Sequence, residues 1–340
     1  MIHRLSRRHY FEIEKNRWRI ASEKDSSFTY LNLNINSQCR DPYVFYPPLR
    51  NGRLASTYLQ EVLRSDLKEE SLLFTQGSTE SIDLIIRAFC EPGKDSILVT
   101  PPTFPYYAYR ARIENVHVET SPLRGDDLNE LNVSEILASS AKVLFLCSPN
   151  NPVGTLLNLD SVEQVIREFS GIVVLDEAYI EWTNQPTCIE WVKKYDHLIV
   201  LRTFSKIWGL AGARCGATVA DQSIIDTLSF VQPMFGFSDS SADLVLSKLK
   251  KPEALVADKS AVELLRQDFF NFLQNLPFVE KVYPGVANFL LVAFHDAEAV
   301  EQRLLRERIL VSNASHQVPN TLRISIGSEE EMQRIKHVLT

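Results

Sequence analysis

Short apolar runs and amphipathic stretches take turns along the middle of this chain. Between about residues 70 and 220, five runs are dense in aliphatic residues: "DSILVT" (95–100), "AKVLFLCS" (141–148), "GIVVLDE" (171–177), "HLIVLRT" (197–203) and "CGATVA" (215–220). They are short and apolar without strict alternation, as strands read when both faces are buried. The segments between them carry a helical period; "STESIDLIIRAFC" places Ile82, Ile85, Ile86 and Phe89 on one face. Strand and helix in alternation predict an α/β fold with a mostly parallel central sheet covered on both faces.

The pattern changes over the last hundred residues. "KSAVELLRQDFFNFLQNL" predicts an amphipathic helix, and "NFLLVAF" and "TLRISIG" predict strands around another helix, "AEAVEQRLLRER". A smaller α+β lobe is expected here. The first fifty or so residues have weak periodicity and are expected to form an arm packed onto that lobe. No repeat, low-complexity tract or long Gly/Ser linker interrupts the chain.

Composition narrows the function. At 340 residues the chain can bury a large core and fill two lobes. Its formal charge of −7 makes no global electrostatic case for nucleic acid or a membrane surface, so a small-molecule partner is expected. Cys39, Cys90, Cys147, Cys188 and Cys215 are scattered without a CxxC pair, which suits neither a metal site nor a disulfide framework and fits a reducing, cytoplasmic setting. No apolar run approaches the roughly 20 residues of a membrane span. The opening stretch "MIHRLSRRHYFEIEKNRWRI" lacks the apolar core of a signal peptide, and its Arg4, Arg7 and Arg8 read as a solvated arm.

Polar residues collect where the strands have no need of them. "LFLCSPNNPVG" leads to Asn151, "IVVLDEAY" to Asp176 and Tyr179, and "IVLRTFSK" to Thr203, Ser205 and Lys206. Each alone has an ordinary explanation as a turn, a helix cap or a solvated charge. Together they fall at successive carboxyl ends of an open parallel sheet, where ligand crevices lie. "TQGSTESIDLIIRAF" puts Gly77, Ser78 and Thr79 at a helix start, which serves as a capping motif and also as an anion site. Thr203, Ser205 and Arg214 supply a second set of donors that favours a phosphate.

A lysine, an aspartate and a phosphate cradle suit a phosphorylated aldehyde cofactor. Lys206 would hold it as an imine, and Asp176 would keep the pyridine nitrogen protonated so that the ring serves as an electron sink. Asn151 and Tyr179 could donate to the ring's phenolate oxygen, and "PPTFPYYAYR" offers Phe104 as the first candidate to cover the ring.

These residues resemble the fold-type I, pyridoxal-5'-phosphate-dependent aminotransferases of class I/II, most closely the histidinol-phosphate aminotransferase branch. The resemblance rests on "GSTESIDLIIRAFCEPGKDSIL", "PPTFPYYAY", "LFLCSPNNPVGTLL", "VVLDEAYIEW", "LRTFSKIWGLAGARCG" and "LRISIG", and covers most of residues 70–220 and one strand near the C-terminus. It implies a large cofactor-binding lobe over 46–240 and a smaller lobe over 241–340, with an arm over 1–45. It also implies the cofactor roles given above, a homodimer in which Tyr46 of "VFYPP" reaches the partner's cofactor phosphate, and Arg323 as clamp for the substrate carboxylate. The implied reaction is ping-pong transfer of an amino group to a 2-oxo acid, with 2-oxoglutarate as acceptor.

The pattern departs from that branch where the substrate is recognised. A second, phosphate-binding arginine of the branch aligns with Val311 of "RILVSNASH", followed by Ser312, Asn313, Ser315 and His316. "LNLNINSQ" has Ile35 and Ser37 where an acid and a proline stand in the branch, and no upstream Pro-Tyr motif is present. A paralogue using a non-phosphorylated donor therefore stays open, as does a decarboxylase similar to threonine-phosphate decarboxylase. A cofactor-binding regulator is not expected, since the fifty or so residues before the large lobe are few for a DNA-binding module, and no GxGxxG follows any strand as a nicotinamide dehydrogenase would need.

Overall fold

The computed structural model describes residues 35–340 except 37, 49 and 251. Most of the expected N-terminal arm, with Arg4, Arg7 and Arg8, lies outside the described residues.

Helix α1 (Gly52–Thr57) starts at Asn51, whose side-chain oxygen accepts the Leu54 N–H at 2.9 Å, and runs on into a π-helical turn over Tyr58–Leu63. There follow β1 (Leu72–Thr75), α2 (Ser78–Phe89), β2 (Ser96–Val99), α3 (Tyr106–Ile113) and β3 (His117–Thr120). Next come α4 (Val133–Ala138), β4 (Val143–Cys147), α5 (Leu159–Glu168), β5 (Ile172–Asp176), β6 (Leu198–Thr203) and β7 (Gly216–Ala220). Helices α6 (Gln222–Val231) and α7 (Asp239–Leu249) complete this part. The seven strands form one sheet in the order β1-β7-β6-β5-β4-β2-β3.

Strands β6, β5, β4, β2 and β3 are parallel, as the alternation predicts. The run at 215–220 departs from that expectation, for β7 is antiparallel to both β1 and β6. Residues 204–215 hold only a 3₁₀ turn (Ala211–Ala213), and a parallel return needs a crossover, usually a full helix. Strands β1 and β3 escape the apolar-run reading. The first is only four residues long, and the second is a half-exposed edge strand, "HVET".

Alternation along the central strands sorts their side chains into two layers. Val143, Phe145, Ile172, Val174, Ile199 and Leu201 pack with Ile82, Ile85, Ile86 and Phe89 of α2 and with Ile224 and Leu228 of α6. Leu144, Leu146, Val173, Leu175, Leu198 and Val200 pack on the other face with Val165 of α5, Leu54 of α1 and Val245 of α7. Each such aliphatic side chain withdrawn from water contributes about 1.5–3 kcal/mol, so these layers fix the strand order and its ends.

Helix α8 (Pro252–Gln274) leads to a second sheet of β8 (Val279–Val282), β9 (Phe289–Phe294), β10 (Ser312–Asn313) and β11 (Thr321–Ser325), in the order β10-β11-β9-β8. All its pairings are antiparallel. Helices α9 (Ala297–Arg306) and α10 (Glu329–Leu339) cover it together with Phe269 and Leu273 of α8. The predicted helices and the strands "NFLLVAF" and "TLRISIG" are all present. Among the described residues no helix is long and apolar enough to cross a membrane, and no cluster of His, Cys, Asp and Glu could hold a metal.

Candidate active site

A cavity of about 240 Å³ opens at the carboxyl ends of β4, β5 and β6. Ser78, Thr79, Phe104, Asn151, Asp176, Tyr179, Thr203, Ser205, Lys206 and Arg214 line it, with Cys147, Ala178 and Ala211. Strand register explains the convergence. Cys147 pairs with Asp176, and Asp176 faces the same side of β5 as Ile172 and Val174, so parallel strands of similar length deliver their last inward residues to one place.

One end of the cavity is built for an anion. The cap residue of α2 is Gly77, with φ +78°, so neither Ser78 nor Thr79 spends its hydroxyl on capping. The Gln76 N–H is taken instead by the Glu80 carboxylate at 2.6 Å. Arg214 follows the Ala211–Ala213 turn at φ +50° and is held by the Ala211 carbonyl at 3.0 Å. Its other amino group lies 3.4 Å from Thr79 Oγ1. Close packing holds the two halves together: a β-carbon on Gly216 would sit 2.5 Å from the Ser78 nitrogen.

The other end carries the ionisable pair. Asp176 is buried; one carboxylate oxygen accepts the Ala178 N–H at 3.0 Å and the other accepts the Tyr107 hydroxyl at 2.6 Å. Burial pushes its carboxyl above the ordinary value, while Tyr107, Ala178 and the Lys206 charge pull the other way. Burial pulls the Lys206 ammonium below its ordinary value; Arg323 and Arg214 act in the same sense, and Asp176 and Cys147 oppose them. Lys206 Nζ lies 5.0 Å from the centre of the Tyr179 ring. Burial also raises the Tyr179 phenol, which keeps it a neutral donor.

Arg323 enters from the small sheet. Its guanidinium donates to the Asn151 side-chain oxygen at 2.5 Å and lies over the Phe289 ring. The Thr103 N–H donates to the Gln317 side-chain oxygen at 2.8 Å, so the loop bearing Phe104 is tied to the turn after β10. Tyr46 does not line the cavity of its own chain; it is half exposed and its ring stacks on Phe235 at 4.4 Å.

Val311 packs against the small-sheet core, whereas Ser312 pairs directly with Arg323 across β10 and β11. Directly paired residues point to the same face of a sheet. The position beside Arg323 is therefore Ser312 and not Val311, because the side-chain period is two and a one-residue shift changes the face. Asn313 is engaged elsewhere, with its amide on Glu301 at 2.6 Å. Sequence reasoning also missed Tyr107 and Cys147. Alternation from Val143 and Phe145 points to Cys147; nothing in "PPTFPYYAYR" distinguishes the tyrosine that reaches Asp176.

Comparison with known proteins places this geometry. Residues 45–339 match the family model "Aminotransferase class I and II". A histidinol-phosphate aminotransferase of Xanthomonas euvesicatoria pv. vesicatoria is 39% identical over 281 residues, 79% of this chain and 77% of that protein. Another from Flavobacterium psychrophilum is 32% identical over 338 residues, covering 96% and 95% of the two chains. The fold matches that of the histidinol-phosphate aminotransferase from Sinorhizobium meliloti in complex with pyridoxal-5'-phosphate, with TM-score 0.80 and 22% identity over 87% of this chain and 82% of that one. The donor set here fits such a cofactor: a cradle of hydroxyls, helix N–H groups and Arg214 for the phosphate, a buried carboxylate for the ring, and a lysine with a lowered pKa between them. The chain belongs to the class I and II aminotransferases, enzymes dependent on pyridoxal phosphate.

Proposed function

We propose that the enzyme moves an amino group from an amino acid or a histidinol-phosphate-like amino-alcohol phosphate to a 2-oxo acid, 2-oxoglutarate, in a ping-pong sequence. One observation carries this reading: a lysine held below its ordinary pKa shares a cavity with a buried carboxylate and a phosphate cradle, and Arg323 meets Asn151 at that cavity. Bound pyridoxal phosphate supplies a protonated ring that takes up the electron pair left when the Cα–H bond of the donor breaks. Lys206 would anchor the cofactor, yield it to the donor amine and then hold the Cα proton on its Nζ. Asp176 would keep the ring nitrogen protonated, and Tyr179 and Asn151 would donate to the phenolate oxygen. Phe104 would cover the ring face, while Ser78, Thr79, Thr203, Ser205 and Arg214, which line the cavity, would hold the phosphate. Arg323 grips the donor's carboxylate or phosphate with a planar fork that suits either. Lys206 also lines a larger cavity of about 670 Å³ bounded by Trp182, Ile207, Val262 and Leu265, which offers room for the donor's side chain.

A second reading has its own support. Ser312 places an uncharged group beside Arg323, which favours a non-phosphorylated amino donor. The same experiment separates the two. The purified protein loaded with pyridoxal phosphate is mixed with donors one at a time, and visible absorbance is followed. Bleaching by a donor, and its return with 2-oxoglutarate, is expected. Failure of every donor to bleach the wild-type protein, or release of carbon dioxide without a keto acid, would overturn transamination.

The proposed assembly is a homodimer with Tyr46 reaching the partner's cofactor phosphate. Mixing Lys206→Ala and Tyr46→Phe subunits is then expected to restore part of the activity in heterodimers. The proposed setting is the cytoplasm, within histidine biosynthesis if the phosphorylated donor holds; Cys147, Cys188 and Cys215 are buried thiols outside any disulfide, in keeping with a reducing compartment. The proposed division runs 1–45, 46–240 and 241–340. The two separate sheets support it, and the packing of Val245 and Leu249 with the large-sheet core favours a join beyond them.

A further inference from the structure

Directly behind the cavity lies a second set of charges that the reaction does not use. Glu177 follows Asp176 and Arg202 precedes Thr203, so each points to the opposite face of the sheet from its cavity-facing neighbour. Both sit in the apolar layer: the Arg202 side chain is 4% exposed and that of Glu177 1%. The guanidinium reaches Glu177 at 3.3 Å, the Thr187 hydroxyl at 3.1 Å and Glu181 at 2.6 Å. Glu177 is further held by the Cys188 N–H at 2.7 Å and by the Thr187 hydroxyl. Glu181 also accepts the Trp208 indole N–H at 3.5 Å.

Such a network is a poor device for stability alone, because desolvating three charges costs about what their attraction returns. Its connectivity is more informative. Glu177 and Glu181 bracket Tyr179 on the segment leaving β5, while Arg202, near the end of β6, and Trp208, beyond it, bracket Lys206. A single planar fork therefore ties the segment carrying Asp176 and Tyr179 to the segment carrying Thr203, Ser205 and Lys206. We infer that Arg202 is a positioning residue, which with Glu177 and Glu181 sets the separation of Lys206 from Asp176 and Tyr179. It acts from the back of the sheet and touches neither cofactor nor substrate. The inference rests on the roles proposed above for Lys206 and Asp176.

The test separates positioning from simple support. Arg202→Met strands the buried Glu177 and the half-buried Glu181 carboxylates and is expected to melt early. The triple variant Arg202→Met, Glu177→Gln and Glu181→Gln removes every charge at nearly constant volume, so it is expected to recover most of the wild-type melting temperature. Positioning predicts that this folded variant still binds pyridoxal phosphate about tenfold more weakly, the size of effect that outer partners have at metal sites. It also predicts a visible-absorbance titration at a shifted pH and a fall in kcat with little change in KM. Arg202→Lys keeps the charge but loses the fork, and is expected to show the same changes in smaller degree. Wild-type cofactor affinity and titration in either folded variant would overturn the inference. A wild-type protein that gains no visible absorbance with pyridoxal phosphate would instead overturn the reading of Lys206 itself.

Discussion

The two sheets contribute to the cavity in different ways. The large sheet supplies groups whose chemistry leaves little choice: a buried carboxylate at the end of β5, a lysine of lowered pKa just past β6, and a packed anion cradle formed by the start of α2, the end of β6 and the turn before β7. The small sheet supplies one arginine, on β11, and sets beside it the two-residue strand β10 with an uncharged serine. Reaction class is thus written into the larger and better-packed element; on the role proposed for Arg323, donor choice would fall to a short exposed one.

That contrast can be broken or sharpened by substitution. Lys206→Ala is expected to lower turnover by roughly 10²–10⁴-fold, the range that positioned proton transfer contributes, with loss of the visible absorbance of the loaded enzyme. Arg323→Met should cost less and differently: KM for the donor rises by roughly 10–100-fold, as loss of a hydrogen bond to a charged group implies. It also removes a positive neighbour from Lys206, so the lysine pKa climbs toward its ordinary value and capture of pyridoxal phosphate by the apo-protein needs a higher pH. If Arg323→Met lowered kcat as far as Lys206→Ala, the division of labour between the sheets would be wrong.

Ser312→Arg tests the small sheet from the other side. A second cation beside Arg323 is expected to improve a phosphorylated donor over a non-phosphorylated one by about tenfold, with kcat little changed. The smallest effect is expected from Tyr107→Phe. Asp176 loses a donor that holds its carboxyl down, so its raised pKa moves further up. A carboxyl whose folded pKa lies above its unfolded value contributes stability below the ordinary carboxylate range and loses it as pH rises through the folded value. The apo-variant should accordingly lose this contribution at higher pH than the wild type, read as the difference between their melting temperatures across the acid range. No change in that difference with pH would show that Tyr107 does not govern Asp176.

Much of the large sheet was legible because a doubly buried strand has little freedom of composition. Ile172–Asp176 is apolar until its last residue, which lines the cavity, and Leu198–Thr203 is apolar but for Arg202 until Thr203 does the same. What escaped was set by geometry that composition does not record. The direction of β7 follows from the shortness of its connection, and the face of Ser312 from its pairing with Arg323. The bond from Tyr107 to Asp176 depends on how α3 packs on the sheet, and the inward turn of Arg202 on strand phase. In the sequence Arg202 reads only as a charge interrupting an apolar run.

Gly216 shows how the cradle also depends on a missing atom. A methyl group there would meet the backbone of Ser78 and Gly77 at 2.5–2.6 Å, where no flexible side chain can yield. Gly216→Ala would therefore displace the first turn of α2 and re-aim its donors without altering one of them. Part of the site's specification is an excluded volume, which a comparison of functional groups alone would pass over.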